Sequence, residues 1–217
     1  MGELRLYAIG IDEIRAMFGA DEHRGAQLRE IAAADLTPPA PPKQRGLLGV
    51  LGPIFKRPPG TVPVDPDQPR AADLEDQIAG RHPDPDRLVA RWRLLEVLVT
   101  GTAWSSTKLP LPGTLLNDID FSMACVGVPT SLSLASLLDD DLRTGLPPLP
   151  GLRVGFCHHP RALARAEAYR DAVELISEPE RAEAVEKIAA WLSGFVRWGE
   201  LAPELGRPEP SLVGFYS

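Results

Sequence analysis

Glu3-Leu4-Arg5-Leu6-Tyr7-Ala8-Ile9 opens the chain. Side chains alternate across a strand, so Leu4, Leu6 and Ala8 share one face and Arg5, Tyr7 and Ile9 the other. The stretch therefore predicts a β-strand. Helical periodicity follows at once. Asp12 is expected to cap a short helix carrying Ile14, Met17 and Phe18, with Gly19 as its stop. A second helix is expected over residues 21–34, with Leu28, Ile31 and Ala32 on its apolar side.

Residues 37–70 break the pattern. Ten of the 23 prolines fall in these 34 residues. Proline lacks an amide donor and fixes φ, which argues for a long extended, mobile insertion. One apolar island, residues 47–55 with Leu51 and Phe55, lies inside it, flanked by Lys43, Arg45, Lys56 and Arg57. It is expected to tuck onto its own domain, or else to dock a partner. Regular structure is expected to resume near Ala71.

Downstream, residues 85–100 carry Leu88, Val89, Trp92, Leu95 and Leu98 at helical spacing, with Gly101 expected to end the helix. A loop with Pro110, Pro112 and Gly113 follows. In residues 119–126, Ile119, Phe121, Met123 and Cys125 alternate with Asp120, Ser122, Ala124 and Val126, which predicts a strand. A helix over residues 132–142 is expected to end in the acids Asp139, Asp140 and Asp141. Residues 152–157 predict a strand. Two helices come next, one with Pro160 in its first turn and one opened by a Ser177/Glu180 capping box and closed by Gly199. Trp191 and Trp198 should mark one face of the latter. A last strand is expected over residues 211–216. The order implies a single α+β domain over residues 1–217, interrupted by the 37–70 insertion. Its small mixed or antiparallel sheet would pack against several helices lying on one side. A small parallel-type sheet is the alternative.

Composition narrows the function. The net charge is −7 and the pI about 5.2. Nucleic-acid binding draws its affinity from Lys and Arg displacing counterions, so an acidic chain disfavours it and favours a basic protein partner. Arg outnumbers Lys 19 to 4, a composition typical of a bacterial gene rich in G and C. Cys125 and Cys157 are expected to be reduced core thiols. Neither a signal peptide nor a transmembrane run is expected, which implies a cytoplasmic protein.

Motifs that suggest chemistry each meet an objection. Ser105 and Lys108 match S-x-x-K, but Pro110 and Pro112 break the helix that chemistry requires, so a polar loop is expected. Cys157, His158 and His159 form a cluster at a strand end. Cys157 and His158 should face opposite ways, and His159 is expected to cap the next helix. Asp118 and Asp120 form a D-x-D, compatible with a divalent metal if both share a strand face, but short enough to arise by chance. No catalytic residue, metal ligand or cofactor is assigned. The turn 100–104 offers a ligand pocket through Thr100, with Trp104 as a wall. Asp139, Asp140 and Asp141 would oppose a helix macrodipole, and that unfavourable placement suggests contact with a basic partner.

Three segments together resemble the YfbM-like family of small uncharacterised bacterial proteins. They are the opening strand followed by Ile11-Asp12-Glu13-Ile14-Arg15 and a short helix, then Arg91-Trp92 with Leu95 and Leu98-Val99-Thr100-Gly101-Thr102-Ala103, and a long late helix followed by the terminal strand Leu212-Val213-Gly214-Phe215. The resemblance covers about a third of the chain and implies an α+β fold without an established reaction. The expected function is non-enzymatic binding, as in an immunity or antitoxin-like protein masking a basic partner. The alternatives are a small enzyme using the 100–104 turn or Cys157, His159 and Asp120, and an adaptor docking through residues 47–55.

Overall fold

The computed structural model describes residues 2–36 and 65–217. In these, four strands and nine α-helices follow one another: β1 (Glu3–Ile9), α1 (Ile11–Arg15), α2 (Glu22–Leu36), α3 (Ala71–Ile78), α4 (Leu88–Thr102), β2 (Ser105–Pro110), α5 (Gly113–Cys125), α6 (Leu134–Leu137), β3 (Arg153–Cys157), α7 (His159–Val173), α8 (Pro179–Leu192), α9 (Gly194–Glu204) and β4 (Ser211–Tyr216). The strands form one antiparallel sheet in the order β2-β1-β4-β3. This is an α+β fold. The two ends of the chain meet at its centre, where Tyr7 stands opposite Val213.

Alternation along β1 sorts its side chains into two cores. Leu4, Leu6 and Ala8 join Leu212 and Cys157 beneath α5 to α9. Tyr7 and Ile9 join Val213, Phe215 and Phe156 against α1 to α4. Helices therefore cover both faces of the sheet, not one. The reason is visible in β1 and β4, whose apolar residues occupy both alternation sets, so each face needs its own cover. Arg5 is the charged exception. Both Glu96 carboxylate oxygens accept from its Nη1, at 2.6 and 2.7 Å, and the Tyr7 hydroxyl donates to Glu96 Oε1 at 2.9 Å.

Several local expectations are overturned. Residues 113–125 form a helix: Leu116, Ile119 and Met123 are its buried stripe, and Phe121 is exposed. The alternation that suggested a strand was the less informative of two overlapping patterns, since 116, 119 and 123 also fit a helical period. Cys125, at the end of α5, is exposed rather than in the core. Residues 105–110 form the edge strand β2 instead of a polar loop. Exposed Lys108 and terminal Pro110 suit such an edge, because both discourage further strand pairing. The 132–142 helix shrinks to the four residues of α6. Gly199 lies inside α9, whereas the break falls at Ser193 and Gly194, where Trp198 folds back so closely that a Cβ on Gly194 would come within 2.6 Å of its ring. Trp191 and Trp198 therefore sit on consecutive helices, yet still pack 5.6 Å apart. Ser177 caps nothing, and Glu178 precedes Pro179 at the start of α8. Asp12 is not the α1 cap either: the Gly10 amide donates to Glu13 Oε2 at 2.9 Å. The last residues of the expected insertion are tied to the body, with Arg87 Nη2 donating to the Gln68 carbonyl at 2.7 Å. Leu51 and Phe55 lie outside the described residues.

Candidate functional site

A cleft of about 410 Å³ opens where α2 crosses the end of α4. Its floor is Arg207, from the loop before β4. Arg207 Nε and Nη2 donate to the two Glu13 carboxylate oxygens at 2.9 and 3.0 Å, and Nη2 also donates to the Thr102 carbonyl at 2.9 Å. Its guanidinium lies 4.3 Å from the centroid of the Trp104 ring. This planar side chain thus joins α1, the end of α4 and the final loop through paired hydrogen bonds and a cation–π contact. Arg24, Gln27, Glu30 and Ile31 of α2 form the opposite wall. Helix approach is close because position 101 lacks a side chain. A Cβ there would come 2.3 Å from Ile31 Cγ2, and Ile31 is β-branched and stiff in a helix. Gly101 is thus needed for helix crossing, not for the turn that the sequence suggested.

The cleft lies beside the 100–104 turn but does not use the residues expected. Thr100 is exposed, and its hydroxyl donates back to the Glu96 carbonyl at 2.8 Å. Trp104 supports Arg207 from behind instead of forming a wall. The polar atoms left over belong to neighbours: Thr102 Oγ1, Arg24 Nη2 and Trp104 Nε1 are buried without a hydrogen-bond partner among the described residues. Arg207 and Arg24 were missed because nothing local to either marks it as a cleft residue.

Asp139, Asp140 and Asp141 are exposed and follow α6 in a turn. The run does not oppose a long helix's macrodipole. It carries the chain over the free edge of β3, from Leu138 in one core to Leu142 in the other. Gly155 of β3 lies so close beneath it that a Cβ would meet the Leu137 carbonyl at 1.9 Å. Asp139 Oδ1 accepts from Arg153 Nη2 at 2.7 Å, and Asp141 Oδ1 accepts from the Arg143 amide at 2.9 Å. The latter bond stabilises the left-handed turn at Arg143, φ 55°. This run and the cleft are separate features, and the fold does not bring them together in one site.

The other chemical candidates are engaged in structural bonds. Cys157 is buried and its Sγ accepts from Arg165 Nη1 at 3.0 Å. Burial raises its thiol pKa, an effect only partly offset by Arg165, so the thiol stays protonated at neutral pH. His158, not His159, is the N-cap residue of α7, and its ring meets Phe156 edge-on at 5.3 Å. His159 Nδ1 faces the Pro210 carbonyl at 3.2 Å. Asp120 lies on α5, where a residue two positions away is about 200° round the helix, so Asp118 cannot share its face. The Asp120 carboxylate instead accepts the Leu134 and Ala135 amides at 2.7 and 2.8 Å, closing the first turn of α6. Burial pushes its pKa up, and these two amides pull it back. Ser105 Oγ accepts from Trp191 Nε1 at 3.1 Å. Ser105 and Lys108, three apart on a strand, face opposite ways. Among the described residues, no three His, Cys, Asp or Glu are grouped to hold a metal ion.

These environments predict the thiol chemistry. At pH 8 the native protein should release one equivalent of thionitrobenzoate from Ellman's reagent, from Cys125, and a second only in denaturant. Two fast equivalents would show that Cys157 is not enclosed.

Fold and site together define an α+β protein with helices on both faces of a four-stranded antiparallel sheet and a polar cleft at one helix crossing. The chain belongs to the family described as Domain of unknown function (DUF7691), whose model matches residues 56–217. No curated protein and no solved structure shows significant similarity to it. The match begins downstream of β1, although β1 lies between β2 and β4 in the sheet. No helix among the described residues is long and apolar enough to cross a membrane.

Proposed function

We propose that the chain is a non-enzymatic binding protein of the bacterial cytoplasm that masks a basic protein partner, in the manner of an immunity or antitoxin-like protein. One observation carries this reading, the segregation of charge. All 30 acids lie in the described residues, against 19 of the 23 Lys and Arg, a net −11. The four remaining cations, Lys43, Arg45, Lys56 and Arg57, fall in residues 37–64, which contain no acid. The body is thus more acidic than the whole chain, and a field of that sign speeds encounter with a cationic surface. Asp139, Asp140 and Asp141 are the exposed acids proposed to meet it. Engagement of Cys157, Asp120, His159 and Ser105 in structural bonds supports the same reading.

Co-expression with the product of the neighbouring gene in the native genome tests it. The two proteins should copurify, the complex should weaken as salt rises, and host cells should survive a product that is otherwise toxic. Absence of both complex and protection would sink the proposal.

A second reading, a small polar ligand in the cleft, is favoured by its polar and charged lining of Arg24, Gln27, Glu30 and Arg207. Kinship with YfbM-like proteins is also proposed. Its support is that the three resembling segments adjoin: the first and third pair in the sheet, and Trp92 of the second meets Phe215 edge-on at 6.3 Å.

A further inference from the structure

The cleft between α2 and the end of α4 is bordered by charges of both signs, and they are not equally engaged. A guanidinium has five N–H donors. The bonds from Arg207 to Glu13 and Thr102 take the one on Nε and the two on Nη2. Nη1 is left, and among the described residues it is neither bonded nor enclosed. One face of the guanidinium lies on the Trp104 ring and one edge meets Glu13 and Thr102, so Nη1 is the donor that Arg207 still presents to the cleft it lines. Stacking and paired bonds hold the plane in position, so little freedom is lost when an acceptor arrives.

Glu13 has no oxygen to spare. Its Oε1 accepts from Arg207 Nε, and its Oε2 accepts from both Arg207 Nη2 and the Gly10 amide. Arg24, in the opposite wall, forms no ion pair among the described residues, and its Nη1 donates to the neutral Gln27 Oε1 at 3.1 Å. Glu30 is its negative counterpart. It lines the same cleft, is exposed, and its carboxylate has no partner among the described residues. The neighbouring cation, Arg29, is committed to Glu75 through two bonds of 2.7 Å.

Arg24 and Glu30 are six positions apart on α2, whereas helix neighbours that pair are three or four apart. Six positions advance about 9 Å along the helix axis. An extended peptide of two or three residues spans about 7–11 Å, and a single amino acid spans less. The cleft of about 410 Å³ is within the size range of small-molecule sites, and Ile31 is the one apolar side chain in its lining, which suits a ligand with little apolar bulk. On the second functional reading, that the cleft takes a small polar ligand, we infer that this ligand is a zwitterionic peptide of two or three residues. Its carboxylate accepts from Arg207 Nη1 in the field of Arg24, and its ammonium donates to Glu30. Hydrogen bonds between charged groups are the strong kind.

Calorimetry on the full-length protein with L-alanyl-L-alanine, its N-acetyl derivative and its C-terminal amide tests this. Dialanine should bind saturably, and each blocked form, lacking one charge, should bind about tenfold more weakly. Glu30→Gln, at an exposed position, should fold as the parent does and weaken dialanine about tenfold while leaving the N-acetyl form unchanged, because that form has no ammonium to lose. Arg24→Gln should weaken dialanine and leave the amide unchanged. Dialanine binding that tolerates a block at either end, or either substitution, would overturn the inference. So would L-alanine binding as tightly as dialanine, which would assign the cleft to amino acids. Succinate, putrescine and glucose probe the wider reading. If one of them binds and responds to Glu30→Gln or Arg24→Gln while dialanine does not bind, the cleft keeps a polar ligand and the peptide is overturned. Binding by none of these probes would overturn both.

Discussion

A chain that begins at Lys56 should fail to fold, although the family match begins there. Such a fragment lacks β1. In the sheet β2 pairs only with β1, and β4 pairs with β1 and β3. Without β1 the edge strand β2 has no partner and β4 loses one side. Leu4, Leu6, Tyr7 and Ile9 are all buried to 1 % exposure or less. At about 1.5–3 kcal/mol per fully buried large apolar side chain, these four are worth roughly 6–12 kcal/mol. A domain's whole stability is about 5–15 kcal/mol. The fragment's amide spectrum should therefore be poorly dispersed and its thermal transition non-cooperative. A sharp melt and dispersed spectrum from residues 56–217 alone would show that β1 is an accessory.

Arg165→Ala should be the most damaging single substitution on the α5 to α9 side. Arg165 holds the short 3₁₀ turn before α6 by two carbonyls, and Tyr169 adds a third bond by donating to the Leu132 carbonyl at 2.8 Å. With Arg153 it also favours ionised Asp120, whose carboxylate caps α6 through two backbone amides. Alanine would leave the Ser133 carbonyl without that donor and half-buried Asp120 with Arg153 but without Arg165 as a nearby cation. Removing one partner of a buried charged network costs about 3–5 kcal/mol. Urea titration should show an unfolding free energy lowered by that amount, read as a lower midpoint at unchanged slope. Arg165→Met should be milder, since it keeps the volume. Equal stability of Arg165→Ala and the parent would mean that the network contributes nothing.

The legible elements of this fold are those with one dominant period. β1 and β4 alternate over a full strand, and α7 carries Ala162, Ala166 and Tyr169 at helical spacing behind Pro160. α5 was misread because its residues satisfy two periods at once, and only tertiary burial separates them. The two-sided cover of the sheet could have been read from β1 itself, where Tyr7 and Ile9 put large apolar side chains on the face that Arg5 shares. Buried arginines have a signal too. Arg91, Leu95 and Leu98 share one helical stripe, as do Arg165, Tyr169 and Ala172, so each cation stands on a core face. What the sequence could not indicate is which carbonyls accept from them, because those come from residues 18 positions away for Arg91 and about 30 for Arg165. The cleft was hidden for the same reason: Arg207 reaches Glu13 across 194 positions. Of its lining, the sequence points only to the neighbourhood of the 100–104 turn, through Gly101 and Thr102.

Affinity for the copurified basic partner, compared between the parent and the triple variant Asp139→Asn, Asp140→Asn, Asp141→Asn, tests the binding proposal most directly. Asparagine preserves size and the turn-forming oxygen at position 141, and the exposed pair with Arg153 is worth at most about 1 kcal/mol, so the fold should survive with nearly unchanged melting temperature. The dissociation constant should rise by about tenfold or more, with a shallower salt dependence. An unchanged dissociation constant and salt dependence would contradict the proposal, and would leave these acids only the task of covering the edge of β3.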